Sequence, residues 1–289
     1  MATLEEALDL DASRKETYLA LGRAYRRMGR LRAELALWHR RAELDPSDAD
    51  ASERIGWILW FTGRADEALP WLDASIAQRA AGRWAGFYIG NAHLRLGDHA
   101  AAERAYRRVL TDHPDHSSAH AGVAWALLAA ERDEEARRHV ADMRARALDG
   151  DRIYVKRADL ELFMGEAESA LEDARAALAE DAAARYWPRG VCASTILAAV
   201  SSVPVARREA LDESVALDEA RLSSGDEGPM PRYDLAAVHA LHGDADGALR
   251  WLRDAVGVGW WYPDIARRDP LLASLRGDAR FTQMLKLAA

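Results

Sequence analysis

Apolar and small residues return along this chain at helical spacing, and the whole pattern returns every 34 residues. Gly29, Gly63 and Gly97 are 34 apart and Gly165 follows two periods later; Ala68, Ala102, Ala136 and Ala170 keep the interval, as do Gly22, Gly56 and Gly90. A fixed period of this length predicts stacked helix–turn–helix units, each burying its apolar face against the next. In the unit Lys15 to Asp48, Leu21, Gly22 and Tyr25 fall on a first helix that Gly29 closes; a second carries Trp38 and ends at Asp45-Pro46. Gly22 lets the two helices approach closely, Gly29 supplies the left-handed residue of a helix cap, and Pro46 prevents continuation.

The units that follow are Ala49 to Gly82, Arg83 to His116, Ser117 to Gly150 and Asp151 to Ala184, so five span 15–184. In the fourth, Glu131 stands where the turn glycine is expected. After Ala184 the phase breaks. Residues 185–228 read as a degenerate helix pair with a longer second helix and an inserted loop, Ser223 to Pro229, that is expected to be mobile and dispensable for folding. Residues 229–257 restore the pattern with Leu235, Gly243, Ala248 and Leu252, and 258–289 read as C-terminal capping helices. Residues 1–14 match only a second helix, with Leu4, Ala7 and Leu8 on one face, which reads as a half-repeat cap or a cut through a longer array. Trp71, Trp251, Trp260 and Trp261 are assigned to packing, and Trp187-Pro188 opens the region where the phase is lost.

These positions resemble the tetratricopeptide repeat, with Trp38 in the place of its Phe or Tyr. The resemblance implies an all-α, right-handed superhelical solenoid of antiparallel helix pairs whose first helices line a concave face. Carried onto this sequence, it turns inward Arg23, Arg26 and Arg27 of the first unit, and Glu53, Trp57, Trp60 and Phe61 of the second. The third unit supplies Trp84, Phe87, Asn91 and Arg95, and the fourth Trp125. It also implies a non-catalytic scaffold that binds a peptide or helix of a partner protein in that groove. Arg267 to Leu271 and on to Arg280-Phe281 resembles the tails of bacterial tetratricopeptide regions attached to signalling proteins. The alternative is therefore a regulatory or ligand-sensing region of a signalling enzyme or transcription regulator. A clamp for a partner's C-terminal carboxylate is disfavoured, since only Asn91, Arg152 and Lys156 match its positions.

Tryptophan and arginine dominate binding hot spots, so the partner site is expected at Trp57, Trp60, Phe61, Trp84, Phe87, Asn91 and Trp125, with Arg23, Arg26 and Arg27 as a basic rim. On that reading Trp60→Ala weakens binding and leaves the thermal midpoint little changed.

Composition narrows the function. The chain has 289 residues, 49% hydrophobic and 30% charged, too long for one ordinary core and natural for a repeat array. No apolar run approaches the roughly eighteen residues of a membrane span. The first eleven residues carry four acidic groups and no basic one, so no secretory leader is expected. A single cysteine, Cys192, suits a cytoplasmic protein without disulfides. The formal charge of −8 disfavours nucleic acid as a partner. Its distribution is uneven: Ala12 to Leu44 has nine basic and three acidic residues, and Glu131 to Asp181 has fifteen acidic and nine basic. The basic end is expected to attract an acidic partner, or the two ends to attract each other between copies. No nucleophile elbow, phosphate-binding glycine loop or redox cysteine pair is present, so no catalysis and no cofactor are expected. His113, His116 and His120 beside Asp112 and Asp115 read as a solvated turn rather than a metal site, and His239 and His242 as ordinary helix residues.

Overall fold

The structure, a computed structural model, describes residue 8, residues 14–78, 83–146, 148, 152–181, 185–186, 188–260 and 262–286. Thr3 to Asp11 apart from the buried Leu8, Trp187 and Trp261 lie outside the described residues. Helices follow one another as hairpins: Lys15–Arg27 (α1) with Leu31–Leu44 (α2), Ala49–Phe61 (α3) with Ala65–Gln78 (α4), and Arg83–Arg95 (α5) with His99–Asp112 (α6). Ser117–Ala129 (α7) pairs with Asp133–Ala145 (α8), and Ile153–Met164 (α9) with Ala167–Glu180 (α10). Then come Ala193–Val200 (α11), Pro204–Ser223 (α12), Met230–His242 (α13), Ala245–Gly257 (α14), Pro263–Arg268 (α15), a 3-10 turn Pro270–Leu275 and Ala279–Lys286 (α16). The fold is an all-α solenoid of helix pairs. First helices also pack on first helices, from α3 through α5, α7, α9 and α11 to α13. The row therefore continues where the 34-residue phase is lost: a short α11 and a long α12 still make a hairpin that stacks.

The periodic residues do what their sizes dictate. Trp38 and Tyr106, one on each second helix, fill the hollow left by the glycine of their own first helix. A β-carbon at Gly22 would stand 2.9 Å from the Trp38 ring, and one at Gly90 would overlap the Tyr106 ring, which also lies against Gly122 of the next first helix. At the fourth turn Glu131 adopts φ +59°, the left-handed conformation that glycine holds at Gly29 (+66°) and Gly97 (+77°). A non-glycine residue is strained there, and packing of the flanking helices holds it in place.

The inserted loop departs from the sequence reading in its second half: Ser223 to Gly225 are exposed, but Asp226 to Pro229 are packed. Glu227 N donates to Gly29 O at 3.1 Å and Arg32 N donates to Glu227 Oε2 at 3.2 Å, joining the loop to the turn of the first hairpin. Asp226 pairs with Arg221 at 2.5 Å and accepts from Gly228 N at 2.7 Å, and Gly228 lies buried beside Phe61. Glu227 is spent on the backbone of another repeat, a use that composition alone does not reveal. We expect limited proteolysis of the folded protein to spare Asp226 to Pro229, and the Glu227 amide to exchange slowly with solvent. Rapid cleavage there would mean that the contact does not persist in solution.

This loop begins a longer return of the chain. Gly259 sits against Thr62 and Gly63, the second turn; a side chain there would overlap the Thr62 carbonyl, and φ is +106°. Arg95, near the third turn, lies 5.2 Å over the Tyr262 ring, and His99 reaches Asp264 at 3.2 Å. Arg268 donates to Leu128 O at 2.5 Å and pairs with Asp133 at 2.7 Å, across the fourth turn. The segment after α14 thus crosses the turns of three consecutive hairpins in order.

Candidate functional site

Aromatic residues of α3 and α5 assemble into one ladder, with Arg26 of α1 over its first ring. Arg26 on α1 places its guanidinium 4.5 Å over Trp57, and Trp57 stacks on Phe61, one helical turn along, at 5.5 Å. Phe61 meets Trp60 edge-on at 6.0 Å, Trp60 stacks on Tyr88 at 5.7 Å, and Tyr88 stacks on Trp84 at 6.1 Å. Trp84 and Phe87 close the ladder against the His116 ring, at 4.9 and 5.8 Å. Tyr88 was missed from sequence, although its place four residues after Trp84 is the signal that would have found it. Burial holds its phenol neutral, with the pKa pushed up to about 12.

Most of the ladder is sealed. Trp60 is 3% exposed, and Phe61, Phe87 and Asn91 are buried with it. Asn91 accepts the Tyr106 hydroxyl at 2.6 Å, and the Trp60 carbonyl accepts from Arg95 Nη1 at 3.2 Å. Glu53 is buried too. What reaches the surface is Trp84, 37% exposed, the half-buried Trp57 and Arg26, and the exposed Arg23 and Arg27. Arg26 is ion-paired with the buried Glu34. Arg23 and Arg27 have no ion-pair partner among the described residues.

Trp125 does not join the ladder. It is buried against Phe163, 5.2 Å away edge-on, and beneath the guanidinium of Arg189 at 5.6 Å. Arg189, itself fully buried, pairs with Asp159 at 2.5 Å and with Asp269, which also takes the Tyr233 hydroxyl. Burial drives the Asp159 carboxyl up to about 6 against the pull of Arg189. Asp269 also caps the 3-10 turn that follows it, accepting from Leu271 N at 2.8 Å. Its tie to Arg189, 80 residues away, needed the tertiary structure.

A second buried ion group lies behind it. Arg185 pairs with Asp234 at 2.7 Å and with Asp218, while Thr195 donates to Asp234 at 2.6 Å. Burial and the nearby Asp234 push the Asp218 carboxyl up, against the pull of Arg185. Cys192, 3.1 Å from Ser214 Oγ, has its thiol pushed up to about 12 by burial, so it carries no thiolate at neutral pH. The cluster ties the segment before α11 to α12 and α13.

The remaining candidates separate. His116 caps α7, its Nδ1 accepting from Ala119 N at 3.2 Å, while His120 turns toward His139 on α8. His239 pairs with Asp244 at 2.8 Å. Lys156 is buried on Ser117 Oγ at 3.0 Å and Arg152 reaches Arg185 O at 3.5 Å, so with Asn91 sealed the three form no open carboxylate clamp. Trp260, fully buried, stacks on Tyr233 at 4.0 Å. Among the described residues no helix is long and apolar enough to cross a membrane.

The architecture is that of a helical-repeat solenoid, and the sequence match agrees with it. Residues 19–83 and 89–150 match the family described as "Tetratricopeptide repeat". No curated protein matches the chain by sequence. Among solved structures, the type IV pilus biogenesis factor PilW is similar over 62% of this chain and 83% of its own, with 19% identity and a TM-score of 0.51. The APC/C hetero-tetramer Cut9–Hcn1 is similar over 98% of this chain and 58% of that one, with 16% identity and a TM-score of 0.58. Yeast Tom70 is similar over 99% of this chain and 61% of its own, at 12% identity and a TM-score of 0.55. Identities this low speak to the fold alone. Tetratricopeptide solenoids generally act as protein–protein interaction scaffolds.

Proposed function

We propose that this chain is a non-catalytic scaffold that binds an extended, acidic segment of a partner protein along Arg23, Arg26, Arg27, Trp57 and Trp84. The observation that supports the reading is that Arg23 and Arg27, exposed and without ion-pair partners among the described residues, lie on the same helix within one turn of Arg26, whose guanidinium covers Trp57. The buried Arg41 and Arg157 are neutralised, by Asp48 at 2.8 Å and Asp173 at 2.6 Å, whereas Arg23 and Arg27 face solvent. Unpaired charges on one helix face give a local positive field that speeds encounter with an acidic segment. The exposed indole of Trp84 supplies an apolar contact, and the buried rings beneath hold it in place at little entropic cost. Trp60, Phe61, Phe87 and Asn91 act in this reading as support for the site, and Trp125 belongs to the buried Arg189 cluster.

Selection from a random peptide library tests the proposal. The native chain should enrich sequences rich in Asp and Glu, and the double variant Arg23→Glu/Arg27→Glu should lose that enrichment. For a selected peptide, Trp84→Ala should weaken binding about tenfold or more with the thermal midpoint nearly unchanged. Enrichment of neutral or basic peptides, or acidic ones bound equally by the double variant, would refute it.

A further inference from the structure

The fourth hairpin holds a pair of imidazoles that partner binding does not use. His120 on α7 and His139 on α8 face each other, with His120 Nδ1 3.3 Å from His139 Nε2 and the ring centres 5.2 Å apart. The other nitrogen of His120 sets its tautomer. Nε2 lies 2.8 Å from Pro114 O, and a carbonyl only accepts, so Nε2 carries the hydrogen and, in the neutral ring, Nδ1 presents a lone pair to the gap. Donation of the distal N–H to a backbone carbonyl is the habit of metal-bound histidines, because it fixes the ring and raises the basicity of the ligating nitrogen.

The separations agree with ligation of one ion. Two imidazole nitrogens, each ~2.05 Å from a tetrahedral metal, stand ~3.3 Å apart with ring centres ~5.2 Å apart. A bent N–H···N hydrogen bond from His139 to His120 meets the same separations in the metal-free protein, so the arrangement is held ready without an ion. Burial also keeps both rings neutral, lowering His120 and taking His139 down to about 4. In front of the pair opens a cleft of about 350 Å³, lined by Thr111, Pro114, Asp142, Arg107 and Arg146 as well as the two histidines. Among the described residues no third His, Cys, Asp or Glu completes a metal-binding group, and Asp142 is held by Arg146 at 2.7 Å.

We propose that His120 and His139 form a two-imidazole site for a borderline divalent cation of the zinc, nickel or copper(II) kind, with water from the cleft in the remaining positions. Nitrogen donors without carboxylates select these ions over magnesium and calcium. The bound ion bridges α7 to α8 and leaves water-filled positions facing solvent.

Calorimetric titration of the full chain with zinc chloride, repeated with magnesium chloride, tests the site. One zinc per chain should bind saturably and magnesium should not. Zinc at a hundredfold excess over its dissociation constant should raise the thermal midpoint by about 5 °C. His139→Gln, at a half-buried position, should weaken zinc binding tenfold or more, whereas His239→Gln should leave it intact. The inference is overturned by no saturable binding to the native chain at millimolar zinc, by binding that persists in His139→Gln, or by loss in His239→Gln instead.

Discussion

Replacing Arg189 with methionine should lower the stability of the protein by roughly 3–5 kcal/mol, although the substitution touches no surface. The guanidinium is fully buried and is the counter-charge of both Asp159 and Asp269, themselves buried. Removing it leaves two carboxylates in a low-dielectric interior, and the cost is their desolvation rather than the loss of attraction alone. Trp125 and Phe163 also lose the cation that lies 5.6 and 5.5 Å from their rings. Two controls separate these causes. Lysine keeps a positive charge but not the forked geometry, so Arg189→Lys should recover only part of the loss. Adding Asp159→Asn and Asp269→Asn to Arg189→Met removes the orphaned charges and should recover more. Urea denaturation read by circular dichroism measures all three, and a loss below about 1 kcal/mol for the methionine variant would show that the cluster does not hold the fold. A solenoid can lose one interface while others persist, so tryptophan fluorescence will show whether the C-terminal helices undock before the repeats unfold.

The second large effect is expected at Trp60. Its indole is stacked on Tyr88 and set edge-on to Phe61, inside the second and third hairpins. Truncation to alanine empties that space, and large-to-small changes of buried aromatics cost roughly 3–5 kcal/mol. Trp60→Ala should therefore lower the thermal midpoint strongly, the reverse of what its inward position in the sequence pattern suggested. Trp84→Ala, on an exposed ring of the same ladder, should leave stability nearly unchanged. If the two variants melt alike, the division of the ladder into packed support and accessible rim is wrong.

The ladder shows why the site was legible only in part. Sequence put Trp57, Trp60, Trp84 and Phe87 on one side of their helices, because helical spacing and the 34-residue period together suggest which residues face the same way, and their rings do lie in one connected run of ring contacts. It did not tell which of them meet water. That depends on neighbours distant in the chain: Gly228 lies against Phe61, and Tyr262 against Arg95, which in turn holds the Trp60 carbonyl. The same limit explains the inserted loop. Its Gly, Ser and acidic residues signal mobility by composition, yet Glu227 finds its partners in Gly29 and Arg32, nearly two hundred residues earlier.

The periodic sequence by itself determined the helix–turn–helix unit and the packing inside it. Gly22 beneath Trp38 and the left-handed turn at Gly29 are steric requirements between residues of one unit, so they recur with the unit. The tertiary structure alone decided how the later helices meet the earlier ones: the return of Gly259 to Arg268 over three earlier turns and the burial of Arg189 between Asp159 and Asp269. These contacts occur once rather than in every unit, so they leave no period to read. They depend on where the accumulated rotation of one hairpin on the next brings the later helices, and that sum is fixed only when the whole array has packed.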